Sequence, residues 1–133
     1  MRDIEHARMM LKLARDDLAT FEILVNSSES PVASLGFHAQ QAVEKALKSW
    51  LSLIGMNYPP THNLRTLFDL LEDQGVADAA GFHDLAILTP FAVQFRYGAF
   101  QDSGEDFSFE GIAAKLTKLL RHIGKLIGEI GPD

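Results

Sequence analysis

The chain has 133 residues, of which 47% are hydrophobic and 23% charged, a balance typical of one folded domain rather than a disordered chain. We therefore predict a single domain over residues 1–133. The formal net charge is −6, which disfavours general nucleic-acid binding because an acidic surface repels phosphate backbones. The lack of cysteine excludes disulfides, thiolate metal sites and cysteine nucleophiles. A charged start and no run of about 18 apolar residues predict a cytoplasmic protein without a membrane partner.

The first two predicted helices are long. Over residues 2–26 the apolar side chains recur at alternating steps of three and four, the pattern of one buried helix face. These side chains are Ile4, Ala7, Leu11, Ala14, Leu18, Phe21 and Val25. Ser30 followed by Pro31 predicts the next helix start, because Ser is a preferred N-cap and Pro is tolerated at the first helical position. We expect this second helix to end near Ile54, before Gly55.

Shorter elements follow. Thr61 or Asn63 is predicted to cap a third helix that ends before Gly75, and residues 76–81 are interpreted as a linker. A fourth helix is expected over Phe82–Tyr97.

The fourth helix should be kinked at Pro90, which lacks a backbone donor and clashes with the preceding turn. An acidic loop over residues 102–106 is then followed by a last long helix from Ser108. No useful stretch alternates apolar and polar residues as a half-buried strand does. The sequence predicts an all-α antiparallel bundle of four to five helices.

The second predicted helix carries an unusual polar set. At about 100° per residue, His38, Gln41, Lys45 and Ser52 lie on one face, opposite the apolar face. This face is interpreted either as an ordinary solvated surface or as a surface that contacts a ligand.

Three further polar residues of this helix are interpreted as structural. Gln40 lies at the edge of the apolar arc, and a buried amide needs partners, so we expect it to bond to a neighbouring helix. Glu44 and Lys48, four residues apart, predict an ordinary solvated ion pair.

Three candidate ligand contacts lie outside the second helix. His62 precedes the third helix and can either contact a ligand or serve as a cap. Arg96 and Tyr97 end the fourth helix, where a cation is also favourable for purely structural reasons. Functionally, Arg96 can hold a phosphate bidentately and Tyr97 can stack a base.

Other common sites are not supported by the sequence. The five histidines form no His-x-x-x-His or Glu-x-x-His pair, so we predict no metal site. There is no phosphate-binding glycine loop and no Gly-x-Ser-x-Gly motif, so we predict no cofactor and no serine nucleophile.

Three blocks of the sequence, taken together and in order, resemble the HEPN family, whose name stands for higher eukaryotes and prokaryotes nucleotide-binding. The blocks are residues 37–48 (FHAQQAVEKALK), residues 60–64 (PTHNL) and Arg96-Tyr97. The resemblance covers nearly the whole chain. It implies an antiparallel helical bundle that is usually a homodimer. It also implies frequent partnership with a minimal nucleotidyltransferase, often as a toxin–antitoxin pair.

Many relatives in the wider HEPN group are metal-independent ribonucleases, and the resemblance implies for them a signature of an Arg followed, after four to six other residues, by a His. This sequence departs from that signature. Only three residues separate Arg2 from His6, Arg121 is adjacent to His122, and no His follows Arg96 before His122. No catalytic residue is therefore assigned.

The sequence favours a non-catalytic HEPN module that binds a nucleotide, a nucleotidyltransferase partner, or both. The candidate ligand contacts are His38, Gln41, Lys45, His62, Arg96 and Tyr97, with Gln40 and Glu44 as structural polar residues. One alternative is a ribonuclease toxin that uses His38 or His62 with Arg96. The other is a purely structural dimeric bundle.

Overall fold

The computed structural model describes residues 3–92 and 108–130, with side chains up to residue 128. These residues form four α-helices, one 3₁₀ helix and no β-strand, which confirms the predicted all-α fold. In chain order the elements are α1 (Ile4–Val25), α2 (Val32–Leu53), α3 (Leu64–Asp73), the 3₁₀ helix (Ala77–Leu88) and α4 (Phe109–Ile130). Within these residues, no helix combines the length and apolar character needed to cross a bilayer.

Helices α1 and α2 form an antiparallel pair. The backbone N–H of Asp3 donates to the carbonyl of Ser52 (3.0 Å), and the Ser49 hydroxyl donates to the carbonyl of Ala7 (2.7 Å). Both bonds join the start of α1 to the end of α2. Small side chains that are fully buried occupy both helices and allow the backbones to approach: Ala7, Ala14, Ala39, Ala42 and Ala46.

Helix α4 packs against both members of this pair. The ring of Phe109 meets Phe21 edge-on at 6.1 Å, and Gly124 lies beside Leu11 and Arg15, so α4 begins next to the end of α1 and runs antiparallel to it. Further along α4, the His122 ring contacts Trp50 at 5.3 Å. Trp50 and Phe21 are both fully buried, and burial of a large apolar side chain stabilises a fold by about 1.5–3 kcal/mol.

The helix ends follow the predictions with one exception. Of the two predicted caps for α3, Asn63 is the one used, since its Oδ1 accepts from the backbone N–H of Arg65 (3.0 Å). Gly55 ends α2 with a φ of +80°, a conformation that favours glycine. The prediction that Ser30 caps α2 is wrong. Pro31 occupies the N-cap position, and the Ser30 hydroxyl instead donates to the carbonyl of Leu24 (2.7 Å).

The prediction for residues 76–88 is also wrong. Instead of a linker followed by an α-helix, a 3₁₀ helix spans Ala77–Leu88. A 3₁₀ helix has three residues per turn, and its buried side chains Ala79, Leu85 and Leu88 lie at multiples of three. Helical backbone resumes at residues 91–92. The remainder of the predicted fourth helix, with Arg96 and Tyr97, and the predicted acidic loop lie outside the described residues.

A close approach joins the start of α2 to Phe91. A Cβ atom added at Gly36 would lie 1.9 Å from Cδ1 of the Phe91 ring, far inside van der Waals contact. Both residues are buried. Glycine at position 36 is therefore what allows the ring to lie on the α2 backbone.

Candidate functional site

A buried carboxylate on α2 organises the first candidate site, the Glu44 cluster, which consists of Gln40, Glu44, Lys48 and His62. Glu44 Oε1 accepts hydrogen bonds from Gln40 Nε2 (3.0 Å) and His62 Nδ1 (2.9 Å), and Oε2 accepts one from Lys48 Nζ (3.0 Å). The side chains of Glu44 and Lys48 are only 6% and 11% exposed. The predicted Glu44–Lys48 ion pair does form, but the prediction that it is solvated is wrong, because α2 is covered on this side as well.

The Glu44 carboxylate is held in its charged form. Burial alone would raise its pKa, but the hydrogen bonds from Gln40, His62 and Lys48, together with the Lys48 charge, outweigh burial and hold the pKa below the ordinary value of 4.5. A buried carboxylate with this many donors satisfies the condition under which a charge can lie inside a protein.

His62 presents an exposed ring that is nevertheless held in place. Its side chain is 67% exposed, yet Nδ1 bonds to Glu44 and its backbone carbonyl accepts from Gln40 Nε2 (3.1 Å). When Nδ1 carries the proton shared with Glu44, Nε2 is an acceptor; in the imidazolium form both nitrogens donate. The cluster therefore orients an imidazole that a ligand in solvent can reach.

A second group of charged residues, the Asp17 cluster, lies between α1 and α2 and consists of Asp17, His38 and Lys45. Asp17 Oδ2 accepts from Lys45 Nζ (2.6 Å), and Asp17 Oδ1 lies 3.5 Å from His38 Nδ1. The side chains of Asp17 and Lys45 are 16% and 26% exposed. The face that the sequence left open between a solvated surface and a ligand contact is thus partly covered by α1, and the Lys45 charge is already paired.

The predicted ligand contacts consequently fall into two groups in the described residues. His38 and Lys45 meet at Asp17, whereas His62 joins Glu44. Gln41 lies between the groups and donates from Nε2 to Oε1 of Gln40 (2.6 Å), which attaches it to the Glu44 cluster. The other two predicted contacts, Arg96 and Tyr97, lie outside the described residues.

Comparison with known protein families decides the classification. The family model for the HEPN domain matches residues 7–129, nearly the whole chain. The chain belongs to the HEPN family. No curated protein and no solved structure gives a significant match to it. The resemblance carried by the three sequence blocks is therefore confirmed at the level of the family.

A polar cavity of about 400 Å³ opens in this HEPN domain beside Tyr58. The Tyr58 hydroxyl lies 2.7 Å from Nε2 of His6, and Lys48 Nζ lies 5.3 Å from the centre of the tyrosine ring. Burial raises the pKa of Tyr58, and the negative charges of Asp3 and Glu44 raise it further. The cavity is therefore lined by a neutral phenol rather than by a phenolate.

Sequence reasoning missed the role of Asp17 in its cluster, the burial of Lys48, and the position of Tyr58 at the cavity. Asp17 follows the buried Ala14 by three positions, which places it at the edge of the α1 stripe and facing α2. That spacing was the available signal. Tyr58 follows the end of α2, where no helical period indicates direction, so the sequence held no comparable signal for its contact with His6.

Proposed function

We propose that this HEPN domain is a non-catalytic binding module for a nucleotide, and that His62 is its anchoring side chain. One observation carries the proposal: the His62 ring is exposed to solvent, yet the residue is held by hydrogen bonds to the buried side chains of Glu44 and Gln40. Exposed side chains ordinarily lose rotamer freedom when they bind a ligand. Here Glu44 and Gln40 have already restricted the ring, so that cost is reduced.

The chemistry of His62 fits a nucleotide. As an imidazolium it donates from Nε2 to a phosphate oxygen, while Nδ1 keeps its hydrogen bond to Glu44. As a neutral ring it accepts from a ribose hydroxyl or an exocyclic amine. Both contacts use the nitrogen that Glu44 leaves available.

The charges of the described residues argue for weak binding. Lys45 is paired with Asp17 and Lys48 with Glu44, so neither lysine offers an uncompensated charge to a phosphate. The protein as a whole is acidic. We expect salt-sensitive binding in the micromolar-to-millimolar range, which corresponds to about 4–8 kcal/mol.

The proposal changes the role of three predicted contacts. His38 and Lys45 contact Asp17, and we assign them to holding α2 against α1. Gln41 bonds to Gln40, and we assign it to positioning that amide rather than to contacting the ligand. Arg96 and Tyr97 remain candidate phosphate and base contacts on the strength of the sequence resemblance.

Calorimetry with ATP tests this assignment. We expect His62→Ala to abolish the binding heat and His38→Ala, a matched removal of an imidazole bonded to a carboxylate, to leave it within about twofold, because His38 faces Asp17. Arg96→Ala should also abolish binding. Circular dichroism on each variant checks that the helices are retained.

Two results would contradict the proposal. No heat with any nucleotide would favour the purely structural bundle. RNA cleavage by the purified protein that disappears in His62→Ala would favour a ribonuclease toxin, since a carboxylate-oriented imidazole is also suited to general acid–base chemistry.

The proposal extends to the assembly in which the module works. The family relationship supports a homodimer and a minimal nucleotidyltransferase partner in a toxin–antitoxin-like pair. The exposed apolar side chains Met9 and Leu13, four residues apart on α1, support burial of that face against another chain. Light scattering on the protein alone, and then mixed with a minimal nucleotidyltransferase, tests the homodimer and the partnership. A monomer that fails to bind that enzyme would refute them.

A further inference from the structure

A mixed set of metal-ligating side chains lies at the opposite end of α3 from His62. Asp69 and Glu72 are three residues apart on α3, and His83 reaches them from the 3₁₀ helix. Their nearest ligand atoms all lie within 4.8 Å of one another. His83 Nδ1 and Glu72 Oε2 are 2.7 Å apart. Two elements thus bring two carboxylates and one imidazole together at the surface.

The imidazole of this set is held in place. The His83 ring stacks on Phe68 with centroids 5.1 Å apart and planes 17° from parallel, and Phe68 is fully buried. Fixing the ring directs Nδ1 toward α3. Asp69 is exposed, and in the described part of the chain its carboxylate has no hydrogen-bond or ion-pair partner. One ligand is therefore fixed and another is available.

The charges around this set are unfavourable as they stand. Asp69, Glu72 and Asp73 lie in the C-terminal half of α3, and the last turn contains no basic residue. The C-terminal end of a helix carries a partial negative charge, so carboxylates there are destabilising. A bound cation would offset the negative charge of these carboxylates and of the helix end.

We propose that Asp69, Glu72 and His83 bind a divalent first-row transition metal, with Zn²⁺ the best-suited ion. Zinc accepts imidazole nitrogen and carboxylate oxygen at about 2.0–2.2 Å, and three protein ligands leave a position for water. The bound ion would join the end of α3 to the 3₁₀ helix. Sequence reasoning predicted no metal site because it considered pairs spaced along one helix, whereas this set spans two elements.

Zinc titration by calorimetry, on the full chain at neutral pH, tests the site. Asp69→Asn is the decisive variant, since it removes a ligand from an exposed position without breaking a described contact. Asp73→Asn is its matched control: it removes the same charge from the same end of the helix but from a residue outside the set. His83→Gln removes the nitrogen ligand.

We expect one zinc per chain, affinity at least about tenfold weaker in Asp69→Asn and His83→Gln, and less than about twofold weaker in Asp73→Asn. A thermal melt provides a second measurement, in which Zn²⁺ should raise the Tm of the wild type and of Asp73→Asn but not of Asp69→Asn. Equal weakening in Asp69→Asn and Asp73→Asn would mean a nonspecific charge effect and overturn the proposal. So would unchanged affinity in Asp69→Asn, which would reduce the set to a Glu72–His83 ion pair.

Discussion

Two clusters involve residues of α2 and contain the same kinds of titratable group in different surroundings, and the Glu44 cluster adds the amide of Gln40. Each contains one carboxylate, one lysine and one histidine. In the Glu44 cluster the carboxylate and the lysine are 6% and 11% exposed and lie on the same helix. In the Asp17 cluster they are 16% and 26% exposed and join two helices. The same kinds of charged group therefore occupy a buried site and a partly exposed one, at the adjacent positions Glu44 and Lys45 of α2.

The difference shows what burial demands of a charge. The carboxylate of Glu44 accepts from three side chains, one of them the amide of Gln40, so both of its oxygens are satisfied. Asp17 has fewer partners in the described residues and retains access to water. We expect loss of a partner to be costly in the first cluster and mild in the second, because solvent can replace the lost interaction only where it has access.

The largest expected effect is that of Glu44→Leu. The substitution leaves the Lys48 ammonium without its acceptor and removes one of the two acceptors of the Gln40 amide, and we expect a loss of about 3–5 kcal/mol in the free energy of unfolding, measured in urea. The double variant Glu44→Leu with Lys48→Met removes both charges and should recover part of that loss. A double variant as unstable as the sum of the single variants would show that the two charges are not coupled.

Lowering the pH should reduce the free energy of unfolding by a smaller amount, through the carboxylate of Glu44. The pKa of Glu44 lies below 4.5 in the folded chain, so protons bind more readily to the unfolded state. Glu44 therefore stabilises the fold above about pH 4.5, and this contribution disappears as the pH falls through the folded-state value. Urea unfolding from about pH 6 to pH 3 should show a steeper loss in the wild type than in Glu44→Gln. Parallel pH profiles would contradict the assignment.

The smallest expected effect is that of Asp17→Asn. The Asp17–Lys45 pair is partly exposed, and we expect a loss of about 0.2–1 kcal/mol that shrinks further at high salt. The urea measurement used for Glu44→Leu applies here too, at low and at high ionic strength. A loss as large as that of Glu44→Leu would mean that solvent access does not distinguish the two clusters.

Much of the fold followed from the sequence because three of the helices are long and strongly periodic. The predicted first, second and last helices lie within one or two residues of α1, α2 and α4, since repeated apolar steps over some six turns leave little choice of face. The 3₁₀ helix escaped prediction because side chains spaced by three also fit one face of an α-helix. Ser30 was misassigned because its hydroxyl had a competing local acceptor in the carbonyl of Leu24.

The candidate site was less accessible to sequence reasoning. Helical spacing predicted a bonded Gln40, and in the structure its amide reaches the carbonyl of His62. The same spacing wrongly placed Lys48 in solvent, because the period of one helix does not tell how many neighbours surround it. The contact between Asp17 and Lys45 joins residues 28 positions apart, and it depends on how α1 and α2 dock. Such pairings belong to tertiary structure, beyond the reach of a single-helix pattern.

The i,i+4 spacing of Glu44 and Lys48 has a consequence for the order of folding events. Both residues belong to α2, so their ion pair forms as soon as that stretch becomes helical, on the sub-microsecond timescale of helix formation. The charge then enters the bundle already accompanied by its counterion. Asp17 meets Lys45 only after α1 has docked. We therefore expect α2 to form before α1 docks onto it. Substitutions at Lys45 should then accelerate unfolding and leave the folding rate nearly unchanged.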